Sequence, residues 1–202
     1  AVDELGNIVD GDQIMAICGL DLKERGALKQ NTVVATVMSN LGLDIAFDGA
    51  GCNVIKTKVG DRYVLEKMLE DGYNFGGEQS GHIIFLDHNT TGDGALTAVQ
   101  LVSVLQRKQK SLSELATAME RLPQVLVNVN VDEKTKKIYS DNAHIKSAVK
   151  EIESNLNGKG RVLIRPSGTE PLIRIMIEGE DQEEIDTYAN SLAELFQSQF
   201  KA

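Results

Sequence analysis

Thr32-Val-Val-Ala-Thr-Val-Met38, then a short segment at residues 40–47, then Val54-Ile-Lys-Thr-Lys-Val59, is the stretch that decides the fold. The first run is rich in β-branched residues and reads as a buried strand; the second is shorter and alternates. Residues 40–47 form a helical turn between them. Downstream, Asp61 opens a helix carrying Tyr63, Val64, Met68 and Leu69, which Gly72 stops. His82-Ile-Ile-Phe-Leu86 is the next strand, and Asp93 caps an apolar helix with Leu96, Val99, Leu101, Val102 and Leu105. Strands that alternate with helices favour crossover connections, so the expected class is α/β: a βαβ-type domain with a mainly parallel sheet.

The rhythm changes further along. Ser111 and Glu114 fit a capping box ahead of Leu112, Leu115 and Met119, and Pro123 ends that element. Val125-Leu-Val-Asn-Val-Asn-Val131 alternates as a strand with one solvated face should. Asp141 is expected to cap a helix bearing Ile145, Ala148, Val149, Ile152 and Leu156, ended by Gly158. Arg161-Val-Leu-Ile-Arg165 and Leu172-Ile-Arg-Ile-Met-Ile177 are strands one loop apart, and residues 180–200 form a last amphipathic helix. This β-α-β-β-α order indicates a smaller α+β domain. The domains are expected at residues 1–110 and 111–202, with a hinge at about 107–124 that lets the second close over a ligand.

Composition excludes several classes. A hydrophobic fraction of 42% with 25% charged residues is that of an ordinary soluble protein, and no apolar run approaches the length that crosses a bilayer. A net charge of −9 argues against nucleic acid as partner, because neutralising phosphates needs a basic face. It leaves room for a small anion held by a local nest of donors. Cys18 and Cys52 lack metal-ligand spacing and read as reduced, buried thiols of a cytoplasmic protein.

Two stretches carry the chemistry. In Arg165-Pro-Ser-Gly-Thr-Glu-Pro-Leu-Ile-Arg174, Gly168 is expected to let the backbone turn with its N–H groups convergent. Ser167 and Thr169 add neutral donors, and Arg165 can grip a phosphate in bidentate fashion. The alternative reading is a polar turn with two surface arginines. In Gly76-Gly-Glu-Gln-Ser-Gly-His82, two glycines allow close backbone approach, and Glu78 and Ser80 can bind neighbouring sugar hydroxyls. Here the alternative is a glycine-rich hairpin turn with Glu78 merely solvated and His82 structural. Asp10 or Asp12 reads better as the N-cap of a helix at 14–18 than as a metal ligand. Asp61 is a plausible cap, and Arg62 is either a surface residue or a ligand contact.

Taken together, the Gly77-Glu-Gln-Ser-Gly-His82 and Arg165-Pro-Ser-Gly-Thr-Glu-Pro171 loops resemble the sugar-recognition and phosphate-binding loops of the α-D-phosphohexomutases. Val59-Gly-Asp-Arg-Tyr-Val64 and Asn7-Ile-Val-Asp-Gly-Asp-Gln-Ile14 are similar to segments of the branch that interconverts glucosamine 6-phosphate and glucosamine 1-phosphate. The resemblance covers essentially the whole chain, in the order of that family's third and fourth domains. It implies that Glu78, Ser80, His82 and Arg62 bind the sugar, and that Arg165, Ser167, Gly168 and Thr169, supported by Arg174, hold the phosphate not being transferred. It also implies a reaction through a phosphoserine and a sugar bisphosphate, assisted by Mg²⁺. The serine loop is absent from this sequence, and the family's aspartate-rich metal loop would end about where Ala1 begins. The resemblance therefore places Mg²⁺ and the nucleophile on upstream domains, leaves no catalytic or metal-binding residue here, and implies a cytoplasmic enzyme, with a homodimer among the assemblies open to the full-length protein. The partners it implies are a hexosamine phosphate and the missing N-terminal domains, with no nucleic acid and no membrane. The competing readings are a stand-alone phosphosugar-binding protein and a fragment from the phosphomannomutase or phosphoglucomutase branches.

Overall fold

The computed structural model describes residues 1–200 and divides the chain into two compact units, Ala1–Arg121 and a second beginning at Leu122. Each has its own apolar core.

The first unit opens with a short bridge, Val2 to Ile8, and then helix α1 (Gly11–Glu24). Asp10 is its N-cap and Gln13 completes a capping box, so the expected helix at 14–18 is the middle of a longer one. Strand β1 (Thr32–Thr36) is buried at all five positions, as its β-branched run requires. Asn40 caps α2 (Leu41–Gly49); β2 (Asn53–Thr57) and α3 (Asp61–Asp71) follow. Gly72 ends α3 in the left-handed conformation. Then come β3 (Phe75–Gly77), β4 (Ile83–Phe85), α4 (Gly94–Lys108) capped by Asp93, and α5 (Leu112–Ala116).

The sheet order is β2-β1-β3-β4. β1 pairs in parallel with both β2 and β3, while β4 pairs antiparallel with β3. The sheet is thus mostly parallel with one reversed edge. Its main core gathers Met15, Ile17, Val33, Ala35, Leu43, Phe47, Phe75 and Leu101. A smaller cluster of Val34, Val64, Met68 and Ile84 lies on the other face, with α3. Helix α5 belongs to this unit rather than to the start of the second domain: Leu112, Leu115 and Ala116 pack on the first core.

The second unit runs β5 (Gln124–Asn130), α6 (Thr135–Ile138), α7 (Ala143–Asn155), β6 (Arg161–Pro166), β7 (Leu172–Glu178) and α8 (Gln182–Gln199). Its three strands form an antiparallel sheet in the order β5-β7-β6. One face packs on α7 and α8: Val129, Ile173, Ile175 and Ile177 meet Ile145, Ile152, Ile185, Leu192 and Phe196. Asn142 caps α7, accepting from the His144 and Ile145 N–H groups; Asp141 lies in the preceding turn and does not cap it.

Candidate functional site

In the first unit the candidate residues lie in the turn between β3 and β4. Glu78 N–H donates to His82 O at 3.0 Å and Gly81 N–H to Glu78 O at 2.9 Å, which closes the turn. Gly81 adopts φ +96°, a conformation that suits glycine. The hairpin reading of this stretch is therefore correct, but Glu78 is not merely solvated. Its Oε1 accepts the Gly60 N–H at 2.9 Å, and its side chain is only 12% exposed. Gly60 has φ +129° immediately ahead of α3, so the carboxylate fixes the entry into that helix.

The turn is held from a second side by α1. Gly11, the first residue of that helix, donates its N–H to Gln79 O at 3.1 Å. That N–H is among those a helix leaves without an internal partner. A Cβ at Gly11 would collide with Glu78 O and lie 2.6 Å from Gln79 O. Gly76 and Gly77 also permit close approach, but to the protein itself: added Cβ atoms would lie 2.5 Å from Val34 O and 2.7 Å from His82 O.

Around this fixed backbone the polar groups are open. Ser80 is exposed, and its Oγ lies 3.3 Å from His82 Nδ1; the same nitrogen is 4.0 Å from Glu78 Oε2. The structure thus brings Glu78, Ser80 and His82 together. Arg62 is not joined to them: it is 81% exposed and pairs along α3 with Glu66 at 2.7 Å.

Asp10 and Asp12 do not form a metal cage. Asp10 caps α1, whereas Asp12 is fully buried and accepts the Asn40 N–H at 2.8 Å, tying α1 to the N-cap of α2. Burial pushes the Asp12 carboxyl up to about 6, against the Asn40 and Ser39 hydrogen bonds that lower it. Among the described residues no group of three or more His, Cys, Asp or Glu side chains could hold a metal ion.

In the second unit the candidate loop joins β6 to β7. Arg165 and Arg174 are directly opposite across these strands, and Asn128 of β5 is opposite Arg174 on the other side. The row Asn128–Arg174–Arg165 crosses the sheet on the face turned away from the isoleucine core, since residues alternate along each strand. Like charges directly opposite destabilise a sheet. Burial and then the Arg174 charge depress the Arg165 pKa, and among the described residues Arg165 makes no ion pair. Among the described residues Arg174 has one partner, Glu170 Oε2, 2.9 Å from its Nη2, and its Nε is buried without one.

Serine, not glycine, makes the turn. Ser167 is buried; its N–H donates to Leu172 O at 2.9 Å, and its Oγ accepts the Glu170 N–H at 3.2 Å. Gly168 departs from expectation, because its φ is not positive and a Cβ there would meet nothing within 4 Å. Gly168 and Thr169 are exposed beside the arginine row. Lys136 of α6 gives a contact that sequence reading missed: its Nζ donates to Glu170 O at 3.0 Å. It sits 34 positions away with no motif around it; Asn128 and Gly11 likewise needed the strand register and the packing to be found.

Residues 10–122 match the family domain described as "Phosphoglucomutase/phosphomannomutase, alpha/beta/alpha domain III", and residues 126–195 match its "C-terminal domain". The chain belongs to the phosphoglucomutase/phosphomannomutase family. It is 60% identical over 202 residues to phosphoglucosamine mutase of Clostridium novyi (strain NT), covering 100% of this chain and 45% of that protein. To phosphoglucosamine mutase of Ruminiclostridium cellulolyticum it is 64% identical over 197 residues, covering 98% and 44%. The chain thus spans a little under half the length of the curated relatives it matches. Among solved structures, Aspergillus fumigatus N-acetylphosphoglucosamine mutase superposes with a TM-score of 0.79 at 19% identity, over 98% of this chain and 45% of that one. The same enzyme in complex with GlcNAc-6P and magnesium gives 0.76 at 21% identity, over 96% and 48%. The chain shares its fold with these two structures; no helix among the described residues is long and apolar enough to cross a membrane.

Proposed function

We propose that this chain is the C-terminal part of a phosphoglucosamine mutase, an isomerase that interconverts glucosamine 6-phosphate and glucosamine 1-phosphate. The observation that carries the reading is the arginine pair. Two guanidiniums face each other across β6 and β7, and Arg165 lacks an ion pair among the described residues. A bound phosphate removes the repulsion between them and accepts several charge-assisted hydrogen bonds. Identity of 59–64% over nearly the whole chain to proteins of that name supports the choice of sugar.

In this reading the two units divide the labour. Glu78, Ser80 and His82 bind sugar hydroxyls, with Arg62 swinging from Glu66 to join them. Arg165, Ser167, Gly168 and Thr169 hold the phosphate that is not being transferred. These are contributions of orientation, made by groups that break no bond. The residues here do not suit Mg²⁺, since Asp10 and Asp12 are engaged in capping and packing. The metal and the phosphorylated serine belong to other parts of the protein, which acts in the cytoplasm.

Titration of glucosamine 6-phosphate into the ¹⁵N-labelled chain tests this. Saturable shifts are expected at the amides of residues 78–82 and 167–170, whereas inorganic phosphate should move only the second set. Arg165→Ala should abolish the second set, and the chain should show no turnover with or without Mg²⁺. Flat spectra at residues 167–170 with both ligands would refute the phosphate assignment.

A further inference from the structure

We infer that Glu170 is a built-in counter-anion of the Arg165–Arg174 site, one that an incoming phosphate must displace and that thereby sets the affinity of the loop. The inference rests on the phosphate reading of this loop and adds a residue to which that reading gives no role.

The backbone of Glu170 and its side chain are held very differently. Its carbonyl accepts from Lys136 Nζ at 3.0 Å and from the Leu172 N–H at 2.9 Å, and its own N–H donates to Ser167 Oγ at 3.2 Å. Lys136 is itself anchored: its side chain is only 11% exposed and also pairs with Glu133 at 2.8 Å. Three contacts thus pin the peptide. Among the described residues the carboxylate has only two, Arg174 Nη2 at 2.9 Å and Ser167 Oγ at 3.5 Å, and it is 53% exposed. Those two donors, an arginine and a serine hydroxyl, are of the kind a phosphate seeks. The carboxylate is therefore an internal stand-in for the ligand on a backbone that does not move when it leaves.

The strength of the contact suits displacement. An ion pair this open to solvent is weak, so a dianion that engages both arginines outcompetes a monoanion on one of them. Arg165, which Glu170 does not reach, remains as the uncompensated charge that draws the ligand in.

The test compares Glu170→Gln with the wild-type chain, using inorganic phosphate as the probe and the amides of residues 167–169 as the readout. Glutamine keeps the size and the backbone contacts but loses the charge. Phosphate should bind about threefold more tightly to the variant at low ionic strength, the equivalent of one exposed ion pair. The gain should shrink in added salt. A residue that only shapes the loop would give weaker binding on substitution, so unchanged or weaker binding by Glu170→Gln overturns the inference while leaving the phosphate reading intact. Binding by neither protein overturns both. A second readout needs no variant: in the wild-type chain the Glu170 Cδ resonance should move with the same midpoint as the Ser167 amide. A stationary Cδ alongside shifting amides would refute displacement even if the variant failed to fold.

Discussion

Asp12→Asn should remove from the first unit a loss of stability that the wild-type chain suffers between roughly pH 4 and 6. Asp12 is fully buried, with one oxygen on the Asn40 N–H and the other, Oδ1, without a partner. Its carboxyl titrates at about 6 in the folded chain against 3.8 when unfolded, chiefly because burial penalises the charge. A folded pKa raised above the unfolded one means that the contribution is fully present below pH 3.8. It is lost as pH rises through about 6, where the buried acid must ionise or the chain must unfold. That displacement is worth about 3 kcal/mol, most of it lost between roughly pH 4 and 6. An asparagine keeps an oxygen for the Asn40 N–H and has nothing to ionise. Urea unfolding at a series of pH values from 4 to 7.5, followed at the β1 amides, gives the stability of the first unit for both proteins. The two should lie closest near pH 4 and diverge toward pH 7 by about 3 kcal/mol in favour of the variant. Subtracting the curves removes the other carboxylates, which titrate in both chains. A difference that stays constant across this range would show that Asp12 is ionised throughout and that the cost assigned to its burial is wrong.

Two further outcomes follow from packing. Gly11→Ala gains helix propensity but drives a Cβ into the carbonyls of Glu78 and Gln79, so it should destabilise the first unit by about 1–2 kcal/mol. Its amide shifts should centre on residues 78–82, and a spectrum unchanged there would contradict the close contact. Burial pushes the Cys18 thiol up to about 12, so iodoacetamide should alkylate it at neutral pH only once the chain unfolds. Modification of Cys18 at the rate of a free thiol in native protein would refute this.

Strands whose side chains pack in the core could be recognised in isolation, because β1 and β5 carry their burial pattern in their own residues. β3 could not. Phe75-Gly-Gly has almost no side-chain signature, and it is a strand because Gly76 can lie against Val34 O, a contact made by a distant residue. The cap of α7 failed for a related reason: Asp141 and Asn142 are both good caps, and local sequence does not choose between them. Likewise the amphipathic pattern of α5 shows that it packs without showing on which core. In the candidate loops the positions were legible, as Arg165 and Ser167 fall at the β6–β7 loop and Glu78 and Ser80 in the β3–β4 turn. Their supports were not. Lys136, Gly60 and Gly11 contribute single backbone-directed contacts from elsewhere in the chain, which leave no pattern in the sequence.

The turn at residues 78–82 is clamped by two main-chain donors from elsewhere in the unit, the Gly11 N–H on Gln79 O and the Gly60 N–H on the Glu78 carboxylate. Among the described residues the Ser80 hydroxyl bonds only to His82, so the side chains at positions 79 and 80 carry no structural duty comparable to that of Glu78. Positions 79 and 80 can therefore vary without disturbing the clamp, whereas Glu78 cannot. In the proposed sugar site, a change of preference can come from those two positions while Gly11, Gly60 and Glu78 stay fixed, so the frame is retuned without being refolded.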